Sequence, residues 1–217
     1  MYLAQEPDRE AESQGTTALA VLAKGRLLEP TRTLWARAGL GTAQFSGRSL
    51  YSVGRGGRLL LSRGRDVPLY VRSGAAELGV VGHDVVLESG EGLAEVLDLG
   101  FGRCRLVLAG PAGLELLRPG LRVASRYPAV ARRYFAARGL SVDVIPLAGA
   151  VEAAVGAGLA DVIVDVAETG RTLEAHGLAI LDVVAESSAR LVAAADRPLG
   201  RAGRRAVEGL TAALAQA

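Results

Sequence analysis

The chain has 217 residues, of which 50% are hydrophobic and 22% are charged. This composition excludes a mainly disordered chain, and the length allows one large domain or two small ones. The net charge is only +2, and no basic stripe is interleaved with aromatic residues, so nothing predicts a nucleic-acid partner. A single cysteine, Cys104, excludes an intrachain disulfide, and we expect it to be a small buried residue.

Residues 1–15 are polar and lack periodicity, so we expect a disordered arm there. They do not contain the basic segment and apolar core of a secretory signal. No apolar run approaches the ~18–20 residues that a membrane span needs. The sequence therefore predicts a cytoplasmic protein without a membrane partner.

Short apolar runs alternate with segments of helical periodicity from residue 19 onward. Predicted strands lie at 19–23, 58–62, 78–81, 104–109, 121–125, 142–146, 162–166, 178–183 and 190–194, with one or two more within 41–57. Predicted helices lie at 27–38, from Asp66-Val67-Pro68 onward, at 93–97, 128–138, 151–158 and 199–216.

This alternation predicts an α/β protein with parallel sheets that are covered on both faces. Nine or ten strands are many for one sheet, so we expect two discontinuous α/β lobes around a cleft. Lobe I would comprise 16–104 plus 181–217 and lobe II 105–180, with the run 104–109 as a connector. Ligands in open α/β sheets bind beyond the carboxyl ends of strands, and the polar motifs follow predicted strands.

The most specific motif, DVAETGRT, follows the strand that begins at residue 162. Two hydroxyls, a glycine and free backbone amides at a helix start can hold a phosphate, and the preceding acid can accept hydrogen bonds from ribose hydroxyls. A simple threonine helix cap is the alternative interpretation. The motif comprises Asp165, Glu168, Thr169, Gly170, Arg171 and Thr172.

Cationic residues follow two earlier strands. Lys24, the only lysine in the chain, precedes Gly25 and Arg26 at a predicted strand–helix turn that would bind a phosphate or simply be solvated. Arg63 and Arg65 match phosphate oxygens, with surface ion pairs as the alternative.

Two acids complete the set of candidate residues. Asp84 follows a predicted strand and can accept a hydrogen bond from an adenine amino group. Glu152 either faces the cleft from a helix start or simply suits the helix dipole. The sequence shows no recognisable Ser/His/Asp grouping, so we expect no classical nucleophile or general base.

Taken in order, the segments LAVLAKGRL (19–27), SRGRDVPLYV (62–71), LDLGFGRCRLVLA (97–109), RVASRYPAVARRYF (122–135) and DVAETGRTL (165–173) resemble the ATP phosphoribosyltransferase family. The resemblance covers nearly all of residues 19–194. It implies a two-lobed fold like type II periplasmic binding proteins. It also implies the first step of histidine biosynthesis, in which an adenine nitrogen of ATP displaces pyrophosphate from phosphoribosyl pyrophosphate.

The resemblance also implies roles for the motif residues. Residues 168–172 would wrap the ribose 5-phosphate, and Asp165 would bind the ribose hydroxyls. The nucleotide or pyrophosphate would lie near Lys24, Gly25, Arg26, Arg63, Arg65 and Asp84, with Arg26 and Glu152 ranked lower. Mg²⁺ would be held mainly by substrate phosphates rather than by side chains.

About 24 residues follow Ala193, too few for the histidine-binding domain of the family's long form. The resemblance therefore implies a short-form catalytic subunit in a hetero-oligomer with a regulatory subunit related to histidyl-tRNA synthetase. One alternative is a non-catalytic two-lobed nucleotide- or solute-sensing module. Another is a Rossmann-like phosphoribosyltransferase, in which two adjacent acids would precede a threonine-rich loop.

Overall fold

The structure is a computed structural model and describes residues 18–22, 25–41, 45, 49–54, 57–114 and 120–216. The expected arm at 1–15 and Lys24 lie outside these residues. The strands in the described part are β1 (Ala18–Leu22), β2 (Tyr51–Gly54), β3 (Gly57–Ser62), β4 (Leu78–Gly82), β5 (Leu93–Asp98), β6 (Cys104–Gly110), β7 (Arg122–Ser125), β8 (Asp143–Pro146), β9 (Val162–Ala167), β10 (Ala179–Ser187) and β11 (Ala189–Ala194). The helices are α1 (Leu28–Arg37), α2 (Val67–Arg72), α3 (His83–Ser89), α4 (Pro128–Ala136), α5 (Ala153–Gly156), α6 (Arg171–Ala175) and α7 (Arg201–Leu214).

The chain divides into two compact units. Unit 1 comprises the described residues up to Val81, Gly92–Leu99 and those from Arg190 onward. Its sheet has the strand order β2-β3-β1-β4-β11-β5, and β1 runs parallel to both β3 and β4. Helix α2 packs on this sheet where β4 carries Gly79, because a Cβ at that position would lie 2.6 Å from a Val67 methyl group.

Unit 2 comprises Gly82–Glu91 and Gly100–Ala189. Its sheet has the order β10-β6-β9-β7-β8, with β9, β7 and β8 parallel and β6 antiparallel to both of its neighbours. Side chains of β6 alternate between the two faces. Leu106 and Leu108 pack with α4, while Val107 and Ala109 pack on the other face with residues of α5 and α6.

The predicted α/β class with two small sheets is confirmed, and so is the burial of Cys104. The expectation of purely parallel sheets is wrong, since β2, β5, β6 and β10 pair antiparallel with their neighbours. The run 104–109 is also not a connector. It forms β6 inside the sheet of unit 2, hydrogen-bonded on both sides.

The predicted helix at 93–97 is wrong, because this segment is strand β5. Leucine, alanine and glutamate favour a helix in isolation, but antiparallel pairing with β11 decides the conformation here. The division into units also differs from the predicted lobe boundaries at three segments, 82–91, 100–104 and 181–189. Helix α3 groups with unit 2, and β10 stays with β6 as far as the pair Ser187–Cys104.

Candidate active site

A cavity of about 370 Å³ lies within unit 2, where strand β9 leads into helix α6. Carboxylates, hydroxyls and one guanidinium line it, as expected for a polar, anionic ligand with several hydroxyl groups. The lining residues are Arg126, Glu152, Asp165, Val166, Ala167, Glu168, Thr169, Gly170, Thr172 and Leu173.

An ion pair between Arg126 and Asp165 forms one wall of the cavity. Strands β7 and β9 are parallel neighbours with Ser125 opposite Val164, so the residues that follow are brought together. Arg126 Nη2 and Nε donate to Asp165 Oδ1 at 2.7 and 2.9 Å, and the Val166 amide donates to the same oxygen at 2.7 Å. Asp165 is only 5% exposed, so this carboxylate has a fixed orientation.

Burial and charge oppose each other at this pair. Burial raises the pKa of the Asp165 carboxyl, and the nearby charge of Glu152 adds to the rise, while the hydrogen bonds and charge of Arg126 lower it. Burial also disfavours the charged form of Arg126, but the contact with Asp165 outweighs this and raises the guanidinium pKa. Arg126 and the Val166 amide therefore both favour an ionised carboxylate in the cavity.

The loop after β9 has the geometry of an anion cradle. Gly170 is the residue before α6 and has a φ of +80°, in the left-handed region that favours glycine. The first amide that bonds back to the helix start is that of Glu174, which donates to the Gly170 carbonyl at 3.0 Å. The amides before it lie in the first turn of a helix, where they have no intrahelical acceptor.

Most of the predicted ribose-phosphate residues meet at this cavity. Asp165, Glu168, Thr169, Gly170 and Thr172 line it, and Glu152, which was ranked lower, lies with them. Arg171 belongs to the same loop, but its side chain is exposed and is not among the lining residues.

The predicted cationic residues belong to unit 1. Gly25 (φ +104°) and Arg26 follow β1, and Arg63 follows β3; these strands are parallel with Leu22 opposite Ser62. Their carboxyl ends therefore lie side by side at one edge of the sheet. Arg63 and Arg65 are exposed around the single 3-10 turn at Gly64–Asp66, and Arg26 is half-buried.

Asp84 has a structural setting that the sequence did not reveal. It is buried in α3, where Oδ2 accepts a hydrogen bond from the Tyr127 hydroxyl and Oδ1 accepts one from the Ser187 hydroxyl, both at 2.7 Å. Burial together with the Asp84 charge raises the pKa of Tyr127 well above its ordinary value, so this hydroxyl stays a donor. Both Asp84 oxygens thus serve unit 2 internally.

Sequence reasoning missed Arg126, although the chain carried a usable signal. Its segment, RVASR, ends in a cation, and the neighbouring parallel strand β9 carries Asp165 near its carboxyl end. Because neighbouring parallel strands end at the same edge of a sheet, the two charges had to meet.

Comparison with known proteins gives this site its context. Residues 63–216 match the family model described as ATP phosphoribosyltransferase. A protein of that name from Anaeromyxobacter dehalogenans strain 2CP-1 is 44% identical over 218 residues, covering 94% of this chain and 97% of its own length. The chain belongs to the ATP phosphoribosyltransferase family. Another member, from Ignicoccus hospitalis, is 43% identical over 80% of this chain, and the match spans 64% of that longer protein.

Solved structures agree with this assignment. The ATP phosphoribosyl transferase (HisG:HisZ) complex from Thermotoga maritima matches with a TM-score of 0.79 and 33% identity, covering 93% of this chain and 100% of that one. Tv2483 bound to L-arginine matches with a TM-score of 0.64 at 12% identity over 96% of this chain and 87% of its own, which shows a shared fold alone. Among the described residues, no helix is long and apolar enough to span a membrane.

Proposed function

We propose that this chain transfers the phosphoribosyl group of phosphoribosyl pyrophosphate to the adenine ring of ATP, and that the cavity of unit 2 holds the ribose phosphate. The observation that carries the proposal is the convergence of Asp165, Glu168, Thr169, Gly170 and Thr172 on one cavity. Its volume of about 370 Å³ lies in the range of small-molecule sites.

Each part of the phosphoribosyl group has a matching part of the cavity. The 5-phosphate accepts hydrogen bonds from the amides at the start of α6 and from the hydroxyls of Thr169 and Thr172. The ribose hydroxyls donate to the carboxylates of Asp165 and Glu152, since an ionised carboxylate is an acceptor only.

The chemistry needs positioning and charge neutralisation more than a covalent helper. A ring nitrogen of adenine forms a bond to the anomeric carbon, and the bond from that carbon to the pyrophosphate oxygen breaks. Charge accumulates on the leaving pyrophosphate. We assign the neutralisation of the substrate phosphates to Lys24, Arg26, Arg63 and Arg65, since guanidinium groups match phosphate oxygens in bidentate fashion and the lysine ammonium adds a point charge.

We propose that Mg²⁺ accompanies the pyrophosphate, whose phosphate oxygens are the hard ligands that this ion prefers. When bound, the ion neutralises charge on the pyrophosphate. We propose that substrate phosphate oxygens supply most of its ligands. Among the described residues, no group of three or more His, Cys, Asp or Glu side chains is placed to hold a metal ion.

We also propose that the chain is a catalytic subunit that works with a separate regulatory subunit. The complex from Thermotoga maritima supports this, since its HisG chain matches 93% of the present chain. The cytoplasm is the proposed compartment, because ATP is a cytoplasmic substrate.

The test mixes the chain with ATP, phosphoribosyl pyrophosphate and Mg²⁺, with and without the regulatory subunit, and follows product absorbance. Asp165→Ala combined with Thr169→Ala should weaken phosphoribosyl pyrophosphate binding more than about tenfold, because a carboxylate and a hydroxyl ligand are both lost. Asp161→Ala combined with Thr211→Ala, two residues that do not line the cavity, is the matched control.

Two results would contradict the proposal. One is folded protein that forms no product with or without the regulatory subunit. If such protein still bound nucleotide or another solute, a sensing module would be favoured. The other is unchanged phosphoribosyl pyrophosphate binding in the Asp165/Thr169 double variant.

A further inference from the structure

Two arginine–aspartate ion pairs join strands β7 and β9, one at each end. At the amino-terminal ends, the Arg122 guanidinium binds Asp161 with Nη2 to Oδ1 at 3.0 Å, and the Arg122 amide donates to Oδ2 at 2.9 Å. At the carboxyl ends, Arg126 binds Asp165 with Nη2 to Oδ1 at 2.7 Å. The members of both pairs are 39 residues apart, so the second pair repeats the first one four residues later.

The surroundings of the two pairs differ. Arg126 and Asp165 line the cavity, whereas Arg122 and Asp161 do not. The cavity lining contains three carboxylates, those of Glu152, Asp165 and Glu168, and Arg126 is the cationic side chain among the described lining residues. The Arg122–Asp161 pair holds the two strands together, while the Arg126–Asp165 pair also contributes its charges to the cavity.

In the Arg126–Asp165 pair, the two carboxylate oxygens of Asp165 differ in the number and length of the hydrogen bonds they accept. Oδ1 receives three donors within 2.9 Å, from Arg126 Nε and Nη2 and from the Val166 amide. Among the described residues, Oδ2 is contacted only by Arg126 Nε, at the longer distance of 3.2 Å. Because each carboxylate oxygen has two lone pairs, Oδ2 retains capacity for hydroxyl donors.

The backbone that carries Arg126 is held by helix α3. Tyr127 donates its hydroxyl to the buried Asp84 and its amide to Ser125 Oγ at 2.8 Å. One turn further along α3, the Glu88 carboxylate accepts the amides of Ala129 and Val130 at 3.0 Å. The start of α4 is therefore fixed just beyond Arg126, which restricts where its guanidinium can reach.

We propose that Arg126 is a positioning residue for the phosphoribosyl substrate: by saturating Asp165 Oδ1 it fixes the orientation of that carboxylate and leaves Oδ2 to accept hydrogen bonds from the ribose hydroxyls. This inference rests on the proposed function. A guanidinium suits the task because its planar fork fixes the carboxylate plane as well as its charge.

The test compares Arg126→Gln and Arg126→Lys with Arg122→Gln, which removes the same kind of ion pair at the other end of the same strands. Circular dichroism and urea unfolding first establish that each variant is folded. The steady-state KM for phosphoribosyl pyrophosphate and kcat are then measured at saturating ATP and Mg²⁺, with the regulatory subunit present throughout.

We expect Arg126→Gln to raise this KM about tenfold with a smaller change in kcat, as for the loss of one charge-assisted hydrogen-bonding arrangement. Arg126→Lys keeps the charge without the fork, so its KM should lie between those of Arg126→Gln and wild type. Arg122→Gln should lose stability and keep the wild-type KM.

A pH series separates positioning from a purely structural role. Asp165 is faced by Arg126 beyond β7, by Glu152 at the start of α5, by Glu168 in its own loop, and by Tyr127 farther off. Without Arg126 only the Val166 amide opposes burial and the Glu152 charge, so KM in Arg126→Gln should rise more steeply than in Arg122→Gln as the pH falls from about 8 to about 5.5. Titration of the substrate phosphates affects both variants equally.

The outcomes are distinct. A wild-type protein that neither binds phosphoribosyl pyrophosphate nor turns it over would sink the proposed function. Active wild type with a folded Arg126→Gln variant of unchanged KM and unchanged pH dependence would overturn the role of Arg126 alone. If Arg126→Gln does not fold, Arg126→Lys decides, and a wild-type KM in that variant would overturn the inference.

Discussion

At the scale of single residues, Gly170 carries the turn of the proposed phosphate-binding loop. Its φ of +80° is costly for any residue with a Cβ, although the added methyl of Gly170→Ala would meet only Ile180 Cδ1, at 3.7 Å. We therefore expect this substitution to lower the free energy of unfolding by about 1–2 kcal/mol through backbone strain. It should also raise the KM for phosphoribosyl pyrophosphate. Urea unfolding and steady-state kinetics measure the two effects.

Gly156→Ala is the matched control for this exchange. Gly156 is the last residue of α5, its φ is not positive, and open space surrounds the position of an added Cβ. Alanine favours a helix by up to about 1 kcal/mol over glycine, so this variant should be as stable as wild type or more so. Equal losses in the two variants would contradict the assignment of strain to Gly170.

The residue scale also shows what the sequence could predict. The DVAETGRT motif could be recognised because a phosphate-binding loop needs consecutive amides and small polar residues, and these lie together in the chain. The contacts of Arg126 and Tyr127 could not be predicted, because their partners, Asp165 and Asp84, lie about 40 residues away in the chain. The surroundings of Asp84 were equally hidden, since a charged residue after a strand gives no sign that a tyrosine and a serine hydrogen-bond to it.

At the scale of elements, helix α3 stabilises the start of α4. The Glu88 carboxylate replaces the N-cap side chain that α4 lacks, by accepting the amides of Ala129 and Val130. Glu88→Ala should lower the free energy of unfolding by about 1 kcal/mol, as for the loss of a helix cap. Glu88→Gln should lose less, since an amide oxygen still accepts but no longer offers a negative charge to the helix dipole. Urea unfolding monitored by circular dichroism measures both.

Glu29→Ala provides the comparison for Glu88. Glu29 also lies in the first turn of a helix, but its side chain is 71% exposed. It forms a surface ion pair with Arg32, in which Oε1 lies 2.8 Å from the guanidinium Nη1. Surface pairs of this kind contribute little, so the expected loss is at most about 0.5 kcal/mol. A loss at Glu29 that equals the one at Glu88 would show that helix-terminal charge, rather than the contact between α3 and α4, determines the effect.

Elements were predictable where the local pattern and the tertiary pairing agree. The runs that became β3, β6 and β9 are mostly apolar and mostly buried, and their sequences predict strands. Strand β5 was not predicted, because its segment LAEVLD has the composition of a helix. It becomes a strand through antiparallel pairing with β11. Strand direction was equally hidden, because antiparallel pairing of β6 with β9 and β10 is a property of the whole sheet.

At the scale of the whole molecule, the two units should respond to different substrates. The cavity proposed for the ribose phosphate belongs to unit 2, and the arginines proposed for ATP and pyrophosphate belong to unit 1. In hydrogen-exchange mass spectrometry, ribose 5-phosphate should protect amides in 165–173. ATP should protect 25–28 and 63–66. Binding slows exchange by a factor of 1 plus the ratio of ligand concentration to Kd, so a ligand at about 100 times its Kd should stabilise the protected segment by up to about 2.7 kcal/mol.

The Asp165→Ala/Thr169→Ala double variant makes this experiment selective. It should abolish the protection that ribose 5-phosphate gives to 165–173, because the carboxylate and hydroxyl ligands are gone. Protection by ATP at 25–28 and 63–66 should persist, because those residues belong to a separate compact unit with its own sheet. If ribose 5-phosphate instead protected the unit 1 segments and left 165–173 exchanging freely, the two substrates would have been assigned to the wrong units.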